Sequence, residues 1–221
     1  MLAKNIIDEI IQPLKPADNC LQVLSWMEEY KVMHLPVVEN GMYKGLLAEA
    51  DIYALPEPDI SVSGISETLT RDAVKAEDHF FNVLPHFSEH QHSVVPVVAK
   101  NDEYVGSITQ ASLLKAYARL EGVGEPGAVV VIEINQADYV LSQIAQIAEN
   151  NDIRLVSVHT MQHTNSVVMD LILKTNTEEV DSFLKTLERY DFHVKMAMTR
   201  KDPEMEKLDE HYQYIMTYLG I

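Results

Sequence analysis

LPVVENGMYKGLLAEAD at residues 35–51 has a second copy, VPVVAKNDEYVGSITQAS, at residues 95–112. Each opens with a short apolar run of buried-strand length. A turn follows, Asn-Gly-Met in the first copy and Lys-Asn-Asp-Glu in the second. A second apolar run comes next, so each stretch reads as a β-hairpin. A helix closes each copy, starting near Asp51 or Ser112.

The self-similarity extends upstream at one offset. Lys15 falls on Lys75, Asp18 on Asp78, Val23 on Val83, Leu24 on Leu84 and Glu29 on Glu89. One extra residue in the second turn shifts the offset, after which Tyr43 meets Tyr104, Gly45 meets Gly106 and Ala50 meets Ala111. One offset, one indel confined to a turn, and a shared apolar pattern mark a repeated supersecondary unit. Asp18 and Asp78 are placed to cap a helix ahead of each hairpin. Leu21, Leu24 and Met27, and in the second copy Phe81, Leu84 and Phe87, supply its apolar stripe. Pro85 removes one backbone bond and should bend or shorten the second of these helices.

The two Pro-Val-Val strands, with GLLAEAD at 45–51 and GSITQAS at 106–112, resemble the CBS domain. The family pattern at the second place is Gly-x-apolar-Ser/Thr-x-x-Asp, and members occur as tandem pairs. The resemblance covers about residues 1–120 and implies a cleft that holds an adenosine nucleotide or other adenosyl compound: AMP, ADP, ATP or S-adenosylmethionine, with no required cofactor. The hydroxyl and the following helix N-terminus would donate to a phosphate, and the aspartate would accept from ribose hydroxyls. The base would lie against Met33, His34 and Leu35, or Ser93, Val94 and Val95, with Pro36 and Pro96 in the same expected sites. The first copy keeps Asp51 but has Ala48 at the hydroxyl position; the second keeps Thr109 but has Ser112 at the aspartate position. Each copy therefore carries half of the motif. From the residues alone, Asp51 and Thr109 also read as ordinary helix caps.

EGVGEPG at 121–127 marks a linker. Beyond it AVVVIEI (128–134) reads as a strand, and Leu141, Ile144, Ala145 and Ala148 as a helix that Asp138 is placed to cap. RLVSVHTMQ (154–162) and SVVMDLILKT (166–175) read as paired strands. A second helix follows Thr177 with Val180, Phe183, Leu184 and Leu187 as its stripe. HVKMAMT (193–199) then alternates Val194, Met196 and Met198. The order β-α-β-β-α-β is the ferredoxin-like split motif, and the segment resembles an ACT domain. That resemblance implies an amino-acid site at the first strand-to-helix turn, here Asn135, Gln136 and Asp138. Tyr139 stands where the family commonly has glycine, and its side chain could fill such a pocket. After residue 200, Met205, Leu208, Tyr212, Ile215, Met216 and Leu219 form the stripe of a docking helix.

The expected fold is thus α+β: a CBS unit at 1–60, a second at 61–121, a linker at 122–127, an ACT-like domain at 128–199 and a helix at 200–221. This order is similar to the acetoin-utilization B-type regulatory proteins. The formal net charge of -17 argues against nucleic acid and anionic membrane as partners. The amino terminus carries Lys4, Asp8 and Glu9 within its apolar pattern, unlike a signal peptide. The single cysteine, Cys20, fits a reducing compartment, and a cytoplasmic protein is expected.

No nucleophile elbow, P-loop or dinucleotide fingerprint is visible, and no catalytic role is expected. His86 and His90 share a helical spacing with Glu89 nearby, but with Pro85 beside them they read as a solvated face rather than a metal site. His159 and His163 fall on a strand and a turn and should not converge. Two self-associating modules point to a homodimer. The leading expectation is a regulatory protein that senses an adenosyl ligand and signals through an effector protein. The alternative is a constitutive dimeric scaffold with degenerate ligand sites.

Overall fold

The computed structural model describes residues 1–199, so the expected terminal helix at 200–221 lies outside the described residues. The chain divides into two units, Met1–Tyr117 and Ala118–Ile221, and its class is α+β.

In the first unit the two copies follow one plan. Helix α1 (Cys20–Tyr30) leads into strands β1 (His34–Glu39) and β2 (Met42–Ala48) and the short helix α2 (Glu49–Tyr53). The second copy has β3 (Val74–Lys75), α3 (Phe80–Ser88), β4 (Val94–Val98), β5 (Tyr104–Thr109) and α4 (Gln110–Leu120). Val37 opposes Gly45 as Val97 opposes Gly106, and both antiparallel ladders shift register at the next residue. Val74 pairs with Val97 in parallel, and Leu14 makes the matching parallel bridge to Val37. Lys31 and Gln91 both turn the chain after the first helix in the left-handed region, each with φ of 57°. The first hairpin closes on Asn40-Gly41, both at positive φ, the pairing a tight primed turn favours.

Two sequence expectations shift by one residue. The caps of α1 and α3 are Asn19, whose side chain accepts from Leu21 N–H, and His79, whose ring accepts from Phe81 N–H. Asp18 and Asp78 instead accept from Lys15 and Lys75 N–H at 2.7 and 2.8 Å, tying off the preceding turn. The buried stripe moves with the caps. Cys20, Val23 and Met27 are buried in α1 and Phe80 and Val83 in α3, while Leu21 and Phe81 face outward. Pro85 lies inside α3, which is two residues shorter than α1 (9 against 11).

The unit has two cores. One gathers Leu14, Cys20, Val23, Met27, Leu35 and Leu47, and the other Val74, Phe80, Val83, Val95, Val97 and Ile108. Each fully buried large side chain is worth ~1.5–3 kcal/mol. The amino-terminal residues join the second core, not the first: Ala3 and Ile6 are buried there. Ala3 N–H donates to Asp78 O and Asp8 N–H to Ser107 O, at 2.9 and 2.7 Å. The 69–70 segment does the same for the first hairpin, with Thr70 bridging Leu46. Gly106 and Gly45 lie under these crossings, where an added Cβ would come within 2.6 Å of Ile7 Cγ2 and of Leu69 Cβ respectively.

The second unit has the expected βαββαβ order: β6 (Val129–Asn135), α5 (Leu141–Glu149), β7 (Leu155–Gln162), β8 (Val168–Thr175), α6 (Asp181–Arg189) and β9 (His193–Met198). The antiparallel sheet runs β7-β8-β6-β9. Ile144, Ile147 and Ala148 from α5 and Phe183 and Leu187 from α6 pack on Val130, Ile132, Leu171 and Leu173. Gly127 enters β6 at φ 141°, and a Cβ there would collide with Thr175 O. Asp138 does not cap α5: its carboxylate accepts from Asn135 Nδ2 at 3.1 Å, and the helix starts three residues later. Leu141 is exposed, and β9 is an edge strand on which Met196 and Met198 are exposed, so the alternation there does not mark a fully buried face.

Candidate functional site

Each strand-to-helix turn of the first unit is closed from within. At the first, Asp51 Oδ2 accepts from Ala48 N–H at 3.2 Å. A carboxylate has acceptor sites for about four hydrogens, so this cap leaves capacity for ribose hydroxyls. His34 stands opposite Ala48 on the hairpin, and its Nδ1 lies 3.1 Å from Ser93 Oγ on the other copy. Ser93 Oγ also accepts from Met33 N–H at 2.8 Å, which joins the two copies at this seam. Burial and the neighbouring His92 hold the His34 imidazole below its ordinary pKa, with Asp51 and Glu49 pulling the other way. At neutral pH it is a neutral ring.

The second turn is more tightly tied. Thr109 N–H donates to Ser112 Oγ and Ser112 N–H to Thr109 Oγ1, both at 3.0 Å. Thr109 Oγ1 in turn donates to Asp8 Oδ2 at 2.7 Å. The carboxylate missing from position 112 is thus beside the hydroxyl after all, supplied by the amino-terminal segment. Any phosphate that took a hydrogen bond from the Thr109 hydroxyl would have to sit beside this carboxylate. Two unit charges ~4 Å apart repel by ~4 kcal/mol at a surface-like dielectric. A hydrogen bond to a charged group returns ~1.5–3 kcal/mol, so an unaccompanied phosphate is disfavoured at Thr109.

The sequence-predicted residues at the two turns differ in exposure. Leu35, Pro36, Val94, Val95 and Pro96 are buried, whereas His34, Ala48, Asp51 and Ser112 are partly open.

Residues 68–119 match the family model of the CBS domain. Among solved structures, a CBS domain pair/ACT domain protein of Thermotoga maritima is 23% identical, with 54% of this chain covering 98% of that one at a TM-score of 0.48. CBSX2 in complex with AMP is 17% identical over 53% of this chain and 96% of its own, at a TM-score of 0.45. The CBS domains of a transcriptional regulator from Streptococcus pneumoniae are 16% identical over 52% and 98%, also at 0.45. No helix among the described residues is long and apolar enough to cross a membrane.

The CBS-matching copy also carries a cluster that sequence spacing did not show. His86 Nδ1, His90 Nδ1 and His92 Nε2 lie 3.2, 2.9 and 2.7 Å from the carboxylate of Asp72. The expectation of a solvated helix face at His86 and His90 is therefore corrected. Helix α3 stops at Ser88, and the chain folds His90 and His92 back toward Asp72. Burial pushes the Asp72 carboxyl up, but the His92 and His90 hydrogen bonds and the His86 ring outweigh it and hold its pKa below the usual range. His159 and His163, as expected, do not converge: His159 meets Glu121 and His163 lies 3.2 Å from Asp170.

In the second unit, Asn135 and Asp138 line a cavity of about 440 Å3 together with Glu133, Gln143, Asp191 and His193. Gln136 is directed instead to Ser166 O, at 3.3 Å. Tyr139 is not among the residues around the cavity, so its side chain does not fill it. Three carboxylates line it, a surrounding that suits an ammonium group better than an anion.

Proposed function

We propose that this chain is a non-catalytic regulatory protein whose tandem CBS-like copies bind an adenosyl ligand at the Asp51 turn. The observation that carries the reading is the Asp51 carboxylate. It is fixed by Ala48 N–H, partly open, and beside the neutral His34 ring at the seam between the copies. The family match to the second copy, and the position-by-position equivalence of the first, support extending the CBS reading to both. The ribose hydroxyls would donate to Asp51 and the base would lie toward His34.

Local charge orders the ligands. With Asp51, Glu49 and Asp8 near the turns and a net charge of -17, few phosphates are favoured. AMP and S-adenosylmethionine come first, and ADP and ATP bind only with a divalent cation. A ligand that binds one relative pose of the two copies better than another shifts the equilibrium between them. That shift would be passed on to an effector protein.

The domain order is similar to the acetoin-utilization B-type regulators, and a cytoplasmic location without nucleic acid or membrane partners suits the acidity. Exposed Leu21, Tyr53, Phe81 and Leu114 on the four helices of the first unit support self-association into a homodimer. The acidic cavity at Asn135 and Asp138 supports a second input, an amino acid held by its ammonium group.

One observation favours a second reading. The Thr109, Ser112 and Asp8 contacts close the other turn without any ligand, as a constitutive dimeric scaffold would require. A thermal-shift panel separates the two. A ligand at 100 times its dissociation constant adds ~2.7 kcal/mol. The sensor reading expects a shift with AMP or S-adenosylmethionine that Asp51→Ala abolishes. A flat response at millimolar ligand leaves the scaffold.

A further inference from the structure

We propose that Asp72, His90 and His92 form a binding site for a divalent transition metal of the zinc class, with His86 flanking the carboxylate. Asp72 Oδ2, His90 Nδ1 and His92 Nε2 lie within 4.8 Å of one another, and Oδ2 is 2.9 and 2.7 Å from the two nitrogens. Tetrahedral bonds of ~2.0–2.1 Å put neighbouring ligand atoms about 3.3 Å apart. The two pairs that share Oδ2 need to open by only about half an ångström, which small side-chain rotations supply. His86 Nδ1 lies 3.2 Å from the other oxygen, Oδ1, and flanks the carboxylate without a hydrogen bond to it. Imidazole nitrogens with a carboxylate oxygen are a donor set for zinc and its neighbours rather than for calcium or magnesium.

The first copy acts as an internal control. At the repeat offset, Asp72, His86, His90 and His92 correspond to Gln12, Trp26, Tyr30 and Val32. There the fold is served by packing: Val32 is buried and Trp26 and Tyr30 lie against the core. The architecture does not need a polar cluster at this place, yet the second copy builds one from three separate stretches of chain. The cluster is also left unfinished by its own hydrogen bonds. His92 Nδ1 is buried without a hydrogen-bond partner among the described residues, and His86 Nδ1, though 3.2 Å from Asp72 Oδ1, makes no hydrogen bond to it. His90, with 49% of its side chain exposed, leaves one side open for entry and for water as a fourth ligand. His92 stands 5.2 Å, ring to ring, from His34, so an ion here would lie next to the proposed base contact without sharing its residues.

The test is a ZnCl2 titration of the full chain after chelator treatment, followed by competition with a chromophoric chelator. One ion per chain is expected, with a dissociation constant of about 1 μM or lower. Asp72→Asn and His92→Asn should each weaken it by about 100-fold and His86→Asn by about tenfold, the range seen when an outer partner of a metal ligand is lost. His159→Asn and Asp51→Ala should leave it unchanged, which separates this site from the adenosyl reading. Because His90 is half exposed, His90→Asn keeps the fold, as its melting temperature in chelator will show, and must still lose zinc. No saturable site below 100-fold weaker affinity would overturn the proposal, as would zinc binding that survives both Asp72→Asn and His90→Asn.

Discussion

The two copies in the first unit share a backbone plan and differ in what they place on it. Register, bulge, parallel bridge, left-handed turn and crossed glycine recur at equivalent positions. The side chains on that frame do not. The first copy pairs a carboxylate-bearing turn with an apolar flank around Trp26, Tyr30 and Val32. The second pairs a hydroxyl-bearing turn with the Asp72 histidine cluster. A duplicated scaffold can hold its fold by packing alone and still carry different chemistry on each copy. Here the proposed adenosyl turn falls to the first copy and the proposed metal site to the second.

The largest effect expected from this comparison is in the cores. Cys20 and Phe80 are equivalent and both fully buried. Phe80→Ala should cost ~3–5 kcal/mol, and Cys20→Ala much less, because little volume is removed. Urea unfolding of the full chain reads both. Equal losses would break the equivalence of the two cores.

The crossed glycines come next. At Gly45 an added Cβ meets Leu69 Cβ and, at 3.0 Å, the Thr70 carbonyl, neither of which yields easily. At Gly106 it meets the side chain of Ile7, which can turn away. Overpacking costs ~1–3 kcal/mol, with Gly45→Ala expected at the upper end and Gly106→Ala at the lower. The reverse order would show that the 69–70 crossing is the looser one.

Asp8→Asn should lower stability by ~1–2 kcal/mol through the weakened Thr109 bond. It should also improve the affinity of any ATP bound at the Thr109 turn by about tenfold, since the repulsion it removes exceeds one 1.4 kcal/mol decade. Unchanged ATP affinity would mean that the second turn is shut by the Thr109 and Ser112 caps rather than by charge.

The smallest effect is one of pH. The folded-state pKa of Asp72 is depressed, so its stabilisation is present above the ordinary carboxylate value near ~3.9 and is lost as pH falls through the folded value. Asp72→Gln, which installs the first copy's residue, should flatten the acid limb of a stability profile recorded in chelator. A superimposable limb would count against the depression.

Much of the frame was legible because turns and buried strands carry local signals. Asn40-Gly41 announces its turn, and the Pro-Val-Val runs announce their strands. The caps were misplaced by one residue because Asp18 and Asp78 are equally good turn formers, and only the fold shows Asn19 and His79 taking the helix ends. The histidine cluster was illegible for a different reason. It depends on Asp72, 14 residues before His86, and on α3 ending before His90. Spacing alone suggested a helix face that does not exist there. Asp8 is the same lesson at longer range, since its partner is 101 positions away.

Titration calorimetry of AMP into the wild-type chain, Asp51→Ala and Thr109→Val tests the central claim most directly. One site per chain is expected in the wild type, lost in Asp51→Ala and retained in Thr109→Val. Retention in Asp51→Ala with loss in Thr109→Val, or no heat in the wild type at millimolar AMP, would contradict a sensor built on the first copy.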